Sequence, residues 1–137
     1  AHYGEELREI GEERAGWLDA HRTFLDEGIC ATASSDYPCA PCEPLLGIQS
    51  CVTRTDVNGK VWGANQRDSV EEALKIFTLN GAYASFEENI KGSITPGKLA
   101  DFVMLERDPH EVDPDDIKNI AIVRTVVGGR TVYPATT

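Results

Sequence analysis

The chain has 137 residues, of which 13 are Lys or Arg and 23 are Asp or Glu, giving a formal charge of −10, and 41% are apolar. That length suits one domain and excludes two independent cores, since domains run to ~100–200 residues. The acidic balance lacks the basic footprint that phosphate backbones and anionic lipids require, and no apolar run approaches the ~20 residues of a membrane span, so nucleic acid and membrane are excluded as partners and a cytoplasmic chain is expected.

Glu5 to Gly28 is charged and helix-prone, with Trp17, His21, Phe24 and Leu25 at the spacing of one helix face and Gly28 as a stop. Ile29-Cys30-Ala31-Thr32-Ala33-Ser34 follows, short, apolar and small, which predicts a strand buried on both faces. A helix leading into such a strand is half of a parallel α/β unit, whose chemistry sits in the loop at the strand's C-terminal end. That loop, 35–44, contains Pro38, Pro41 and Pro44, which forbid regular structure. Pro44 can open a helix through Leu45, Ile48, Gln49 and Val52, and 56–65 reads as a polar loop in which Trp62 is either a mobile rim aromatic or a core anchor, the anchor being favoured. Ser69-Val70-Glu71-Glu72 is a capping box, because the Ser oxygen can accept the third helical N–H while the Glu reaches back to the Ser N–H. Its helix is predicted to turn Val70, Ala73, Leu74 and Phe77 inward and to end at Asn80-Gly81.

From Gly92 onward the period changes. Pro96-Gly97 is a turn, Ala100 to Leu105 a strand, Asp108-Pro109 a break and Pro114-Asp115-Asp116 a single helical turn. Ile120 to Val127 and Arg130 to Tyr133 flank Gly128-Gly129, a hairpin signal because both turn residues tolerate positive φ. The final third is an antiparallel β module.

The four cysteines, at 30, 39, 42 and 51, are too few for a disulfide-built domain of this length. Only Cys39 and Cys42 form the close pair that zinc ribbons offer twice, so a zinc domain on all four is the competing reading. The favoured one has Cys30 and Cys51 as small buried hydrophobes and the other two on a loop. His21 reads as a packed helix residue, His110 as solvated and His2 as part of a frayed end; none is assigned as a ligand.

Several segments, in order, resemble one family. They are Leu25-Asp26-Glu27-Gly28-Ile29, Ser35-Asp36-Tyr37-Pro38, Pro44 to Ile48 with Val52-Thr53-Arg54, Ser69 to Leu74, Thr78-Leu79-Asn80-Gly81-Ala82-Tyr83-Ala84, Lys91 to Leu105, and Thr125 to Arg130. Together they look like the C-terminal quarter of a metal-dependent amidohydrolase of family 3, the subgroup that includes N-substituted formamide deformylases. The resemblance implies an α/β fold, the C-terminal fragment of a (β/α)8 TIM barrel plus the C-terminal strands of a small β-sandwich. Residues 1–91 would be the last helix and strand units of the barrel, and 92–137 the sandwich strands.

In that family an aspartate at the tip of the eighth strand binds the catalytic divalent metal, typically zinc. It takes the proton from the attacking water and delivers it to the leaving nitrogen; the matching residue here is Asp36. Tyr37, Cys39, Cys42 and Arg54 are expected to line the substrate pocket. The implied reaction is hydrolysis of non-peptide C–N bonds in small molecules: linear amides, N-formyl or N-acyl amines. The family's other metal ligands, a His-x-His pair, a bridging lysine or acid and two further histidines, have no counterpart in this sequence. The chain by itself is therefore expected to be a fragment of a longer hydrolase, inactive and without bound metal, and to form homo-oligomers through unpaired strand edges. The readings set against this one are a non-catalytic β-rich interaction module and the small Cys-zinc domain.

Overall fold

In the computed structural model, which describes residues 9–134, the charged stretch before Gly28 is not one helix: after helical residues at 9–10 come two separate short helices, α1 (Glu12–Ala15) and α2 (His21–Asp26). Residues 5–8 of the expected helix, and His2, lie outside the described residues. Trp17 falls in the break and is 63% exposed, so the expected apolar face does not form. The break has a tertiary cause. The carbonyls of Leu18 and Asp19 accept from the Arg54 guanidinium at 2.7 and 3.1 Å, which turns them away from a continuous helix, and Asp19 takes a left-handed φ of 48°.

Ile29–Ser34 is not a buried strand. It has no ladder partner among the described residues, Ile29 is 52% exposed, and Cys30 is exposed where burial was expected. A strand exists only in pairing, and without a neighbour the backbone finds other donors. The carbonyl of Ala31 accepts from the Asn80 side chain at 2.7 Å.

Helix α3 (Pro44–Thr53) starts as expected with Pro44 in its first turn and closes on Arg54 in the left-handed conformation. The next loop holds a Thr55–Val61 bridge, and Trp62, 4% exposed, is anchored through its indole N–H to Asp56 Oδ2 at 2.9 Å. A 3₁₀ turn at Ala64–Gln66 leads to α4 (Val70–Ile76), which carries the full capping box, with Glu72 N–H on Ser69 Oγ and Ser69 N–H on Glu72 Oε2. Helix α4 ends at Phe77, and Asn80 and Gly81 lie inside α5 (Leu79–Ala84) instead of terminating the helix before it. Asn80 is 4% exposed, and its buried bond to Ala31 outweighs the residue's local preference for a helix end.

The last third matches the sequence reading: β1 (Phe102–Leu105), a 3₁₀ turn at Pro114–Asn119, β2 (Ile122–Val127) and β3 (Arg130–Tyr133). The sheet is antiparallel in the order β1-β2-β3, with Phe102 opposite Val126 and Val127 opposite Arg130. Gly128 and Gly129 take φ of 56° and 77°, the hairpin geometry that L side chains resist. One core ties this part to the helices, since Ile117 and Ile120 pack with Ile48, Cys51 and Ala73. No helix among the described residues is long and apolar enough to cross a membrane.

Gly47 in α3 and Gly81 in α5 give substitutions of opposite sign. A Cβ on Gly47 would run into Cζ of Phe77 and lie 2.9 Å from its Cε1, whereas one on Gly81 would meet nothing within 4 Å. Gly47→Ala is expected to lower unfolding free energy by about 1–3 kcal/mol, and Gly81→Ala to raise it by about 0.5–1 kcal/mol. Urea denaturation of both variants checks this, and shifts of the same sign would contradict the packing described.

Candidate functional site

Asp36 closes the irregular segment after α2. Its φ is 55°, a left-handed conformation that Asp tolerates better than most residues. Its N–H donates to Ser34 Oγ at 3.3 Å, and its carbonyl accepts from Cys39 N–H at 2.8 Å, turning the chain tightly through Tyr37 and Pro38. The side chain is exposed and lines a cavity of about 760 Å³ with His21, Cys51, Arg54 and Trp62. Of the residues expected at the pocket, Arg54 shares this cavity with Asp36, while Tyr37, 70% exposed, and the exposed Cys39 and Cys42 lie outside its lining.

Arg54 also has a structural task. Its Nε donates to Trp62 O at 3.0 Å, and its two terminal nitrogens donate to Leu18 and Asp19. Two separate pieces of chain, Leu18–Asp19 and Trp62, thus converge on one guanidinium, whose planar fork of donors suits that use.

A cluster that the sequence reading missed lies against the same cavity. His21 Nδ1 is 3.6 Å from Cys51 Sγ and 3.4 Å from Asp68 Oδ2. The Asp68 side chain is fully buried and that of His21 is 16% exposed. Among the described residues neither Asp68 oxygen makes a hydrogen bond of good geometry, and Oδ2 has the His21 ion pair. The Asp68 carboxylate, with Cys51 as the second contributor, pushes the His21 pKa up to about 10. Asp68 is brought here by its backbone, whose N–H donates to the Cys51 carbonyl at 3.1 Å. Helix α2 is held in place by Arg22, which binds both oxygens of Glu72 at 2.8 Å, and by Gln66, which accepts from Thr23 N–H and donates to Thr23 Oγ1. No local motif marks the cluster, because its members come from three elements far apart in the chain.

The four-cysteine centre does not form. Cys51 is buried while Cys30, Cys39 and Cys42 are exposed, and the group of three possible metal ligands that comes together among the described residues is His21, Cys51 and Asp68.

Residues 5–133 match the sequence profile of the Amidohydrolase family. The chain is 35% identical over 127 residues to the protein YtcJ of Bacillus subtilis, covering 90% of this chain and 24% of that one. It is 31% identical over 115 residues to the N-substituted formamide deformylase of Arthrobacter pascens, covering 84% and 21%. A crystal structure of an amidohydrolase from Thermotoga maritima has the same fold over 82% of this chain and 25% of its own, with a TM-score of 0.63 at 23% identity. The chain spans about a quarter of the length of the curated relatives it matches.

The Arg22 guanidinium, helped by the backbone N–H and hydroxyl of Ser69, holds Glu72 down from its ordinary 4.5 to about 2. Because the folded value is the lower one, the stability Glu72 contributes is fully present above the ordinary value and is lost as pH falls through the folded value. Glu72→Gln is therefore expected to be less stable than the parent at neutral pH, with the gap closing between about pH 4.5 and pH 2. Chemical denaturation across that range checks it, and a constant gap would contradict the assignment.

Proposed function

The chain belongs to the amidohydrolase family, and from that premise we propose that it supplies the last helix and strand units of a (β/α)8 barrel, residues 1–91, and the C-terminal strands of an adjoining β-sandwich, residues 92–137, to a hydrolase of non-peptide C–N bonds. The order of elements supports this, helices first and an antiparallel sheet last. The observation that carries the functional part is the exposed Asp36 carboxylate lining a large cavity, on the segment where the family motif Ser35-Asp36 stands.

Asp36 acts as the proton carrier. Its carboxylate accepts a proton from the attacking water and returns it to the leaving nitrogen, a relay that needs a carboxylate within hydrogen-bond reach of both. The substrates are small linear amides and N-formyl or N-acyl amines, a reading supported by the similarity to a formamide deformylase. Arg54, which lines the same cavity as Asp36, bounds the substrate side. The family's divalent metal needs about three protein ligands. Asp36 offers one carboxylate, and among the described residues no three-ligand group includes it. The described residues do not fit that metal as a complete set.

The test expresses the complete reading frame that contains this chain and follows amine release from N-formyl and N-acyl amines. Asp36→Asn keeps a residue type that tolerates the left-handed backbone and is expected to lose about 10²–10⁴-fold in rate with an unchanged circular dichroism spectrum. Activity at the parent level in Asp36→Asn would overturn the role.

The sheet supports self-association as well. Val103, Val123, Val127 and Val132 are each about half exposed, with β1 and β3 as its edges. Sedimentation velocity over a range of concentrations should show dimers or larger species; a monomer throughout would contradict it.

A further inference from the structure

We propose that His21, Cys51 and Asp68 form a binding site for one divalent cation of the zinc class, with the fourth coordination position facing the cavity. The site does not include Asp36, so its test does not depend on hydrolysis.

Geometry carries the case. In a tetrahedral zinc site, bonds of about 2.0–2.1 Å to nitrogen, 2.3 Å to sulfur and 2.0 Å to oxygen place N and S about 3.6 Å apart and N and O about 3.3 Å apart. Here His21 Nδ1 stands 3.6 Å from Cys51 Sγ and 3.4 Å from Asp68 Oδ2, and the three ligand atoms all lie within 4.8 Å of one another. Nitrogen, sulfur and oxygen donors on rigid supports are the set that zinc takes.

The arrangement is poorly served without a cation. One ring nitrogen faces both a thiol and a carboxylate, and a single N–H cannot serve both. Asp68, its side chain fully buried, makes no hydrogen bond of good geometry among the described residues, and the His21 ion pair at 3.4 Å serves one of its two oxygens. A divalent cation between the three satisfies them together, and a thiolate plus a carboxylate balances its two charges. Loading sends two protons to solvent, one from the Cys51 thiol and one from His21 Nδ1. His21 and Cys51 both line the cavity while Asp68 does not, so the carboxylate lies behind them and the open position faces the cavity.

The chain, stripped with a chelator, is titrated with Co²⁺ under reducing conditions and then with Zn²⁺. The expected result is a thiolate-to-cobalt charge-transfer band that saturates at one equivalent and is erased by Zn²⁺. Cys51→Ser should abolish the band, Asp68→Asn should weaken binding by about 100-fold or more, and Cys39→Ser and Cys42→Ser should leave it unchanged. Absence of the band in the folded parent chain, a result independent of any variant's folding, would overturn the site. So would a band that survives Cys51→Ser or that disappears with Cys39→Ser.

Discussion

Helix α3 is the part on which the rest of the structure depends, because its burial against the 3₁₀ turn at Pro114–Asn119 is what joins the two ends of the described chain. Ile117 is one of two large side chains that are fully buried, and it sits between Ile48 and Cys51 of α3 and Ala73 of α4. Burying such a side chain contributes about 1.5–3 kcal/mol, and Gln49 adds direction by accepting the Lys118 N–H at 3.0 Å. Six polar side chains are buried among the described residues beside a small apolar core, so hydrogen bonds must specify much of the tertiary arrangement.

Five of those six polar residues have their bonds. Gln49, Thr53, Asp56, Gln66 and Asn80 each hold a backbone group or a facing side chain. Asp68 is the exception among the six: its fully buried carboxylate makes no hydrogen bond among the described residues and has the His21 ring nitrogen 3.4 Å from Oδ2, an arrangement that packing does not account for. The raised pKa of His21 has the same source, since burial alone would have lowered it.

Features whose causes lie within a few residues were legible in the sequence. Pro44 opening α3, the Ser69–Glu72 capping box, the Gly128–Gly129 hairpin and the Trp62 anchor all follow from neighbours in the chain. The family was legible for a related reason, since motif order survives without any knowledge of contacts. Asp36 came with it and does line the cavity. What local reading got wrong has distant causes. Arg54 breaks the helix at Leu18 and Asp19, and Asn80 enters α5 to reach Ala31. Ile29–Ser34 has the composition of a strand but no partner among the described residues. His21, Cys51 and Asp68 carry no shared periodicity at all.

The two faces of α3 meet at one residue. Leu46, Gly47, Ser50, Cys51 and Arg54 recur at helical spacing along the cavity, while Ile48, Cys51 and Val52 turn to the core. Gly47 belongs to the first row because any side chain there would displace Phe77, which walls the cavity and packs on the core at once. Cys51 is common to both rows, and its small, polarizable side chain is apolar enough for one and a ligand donor for the other. A serine there would place a hydroxyl in the core, and a valine would leave His21 and Asp68 facing each other without the third donor. The position where core and cavity adjoin therefore admits few residue types, and cysteine is one that serves both.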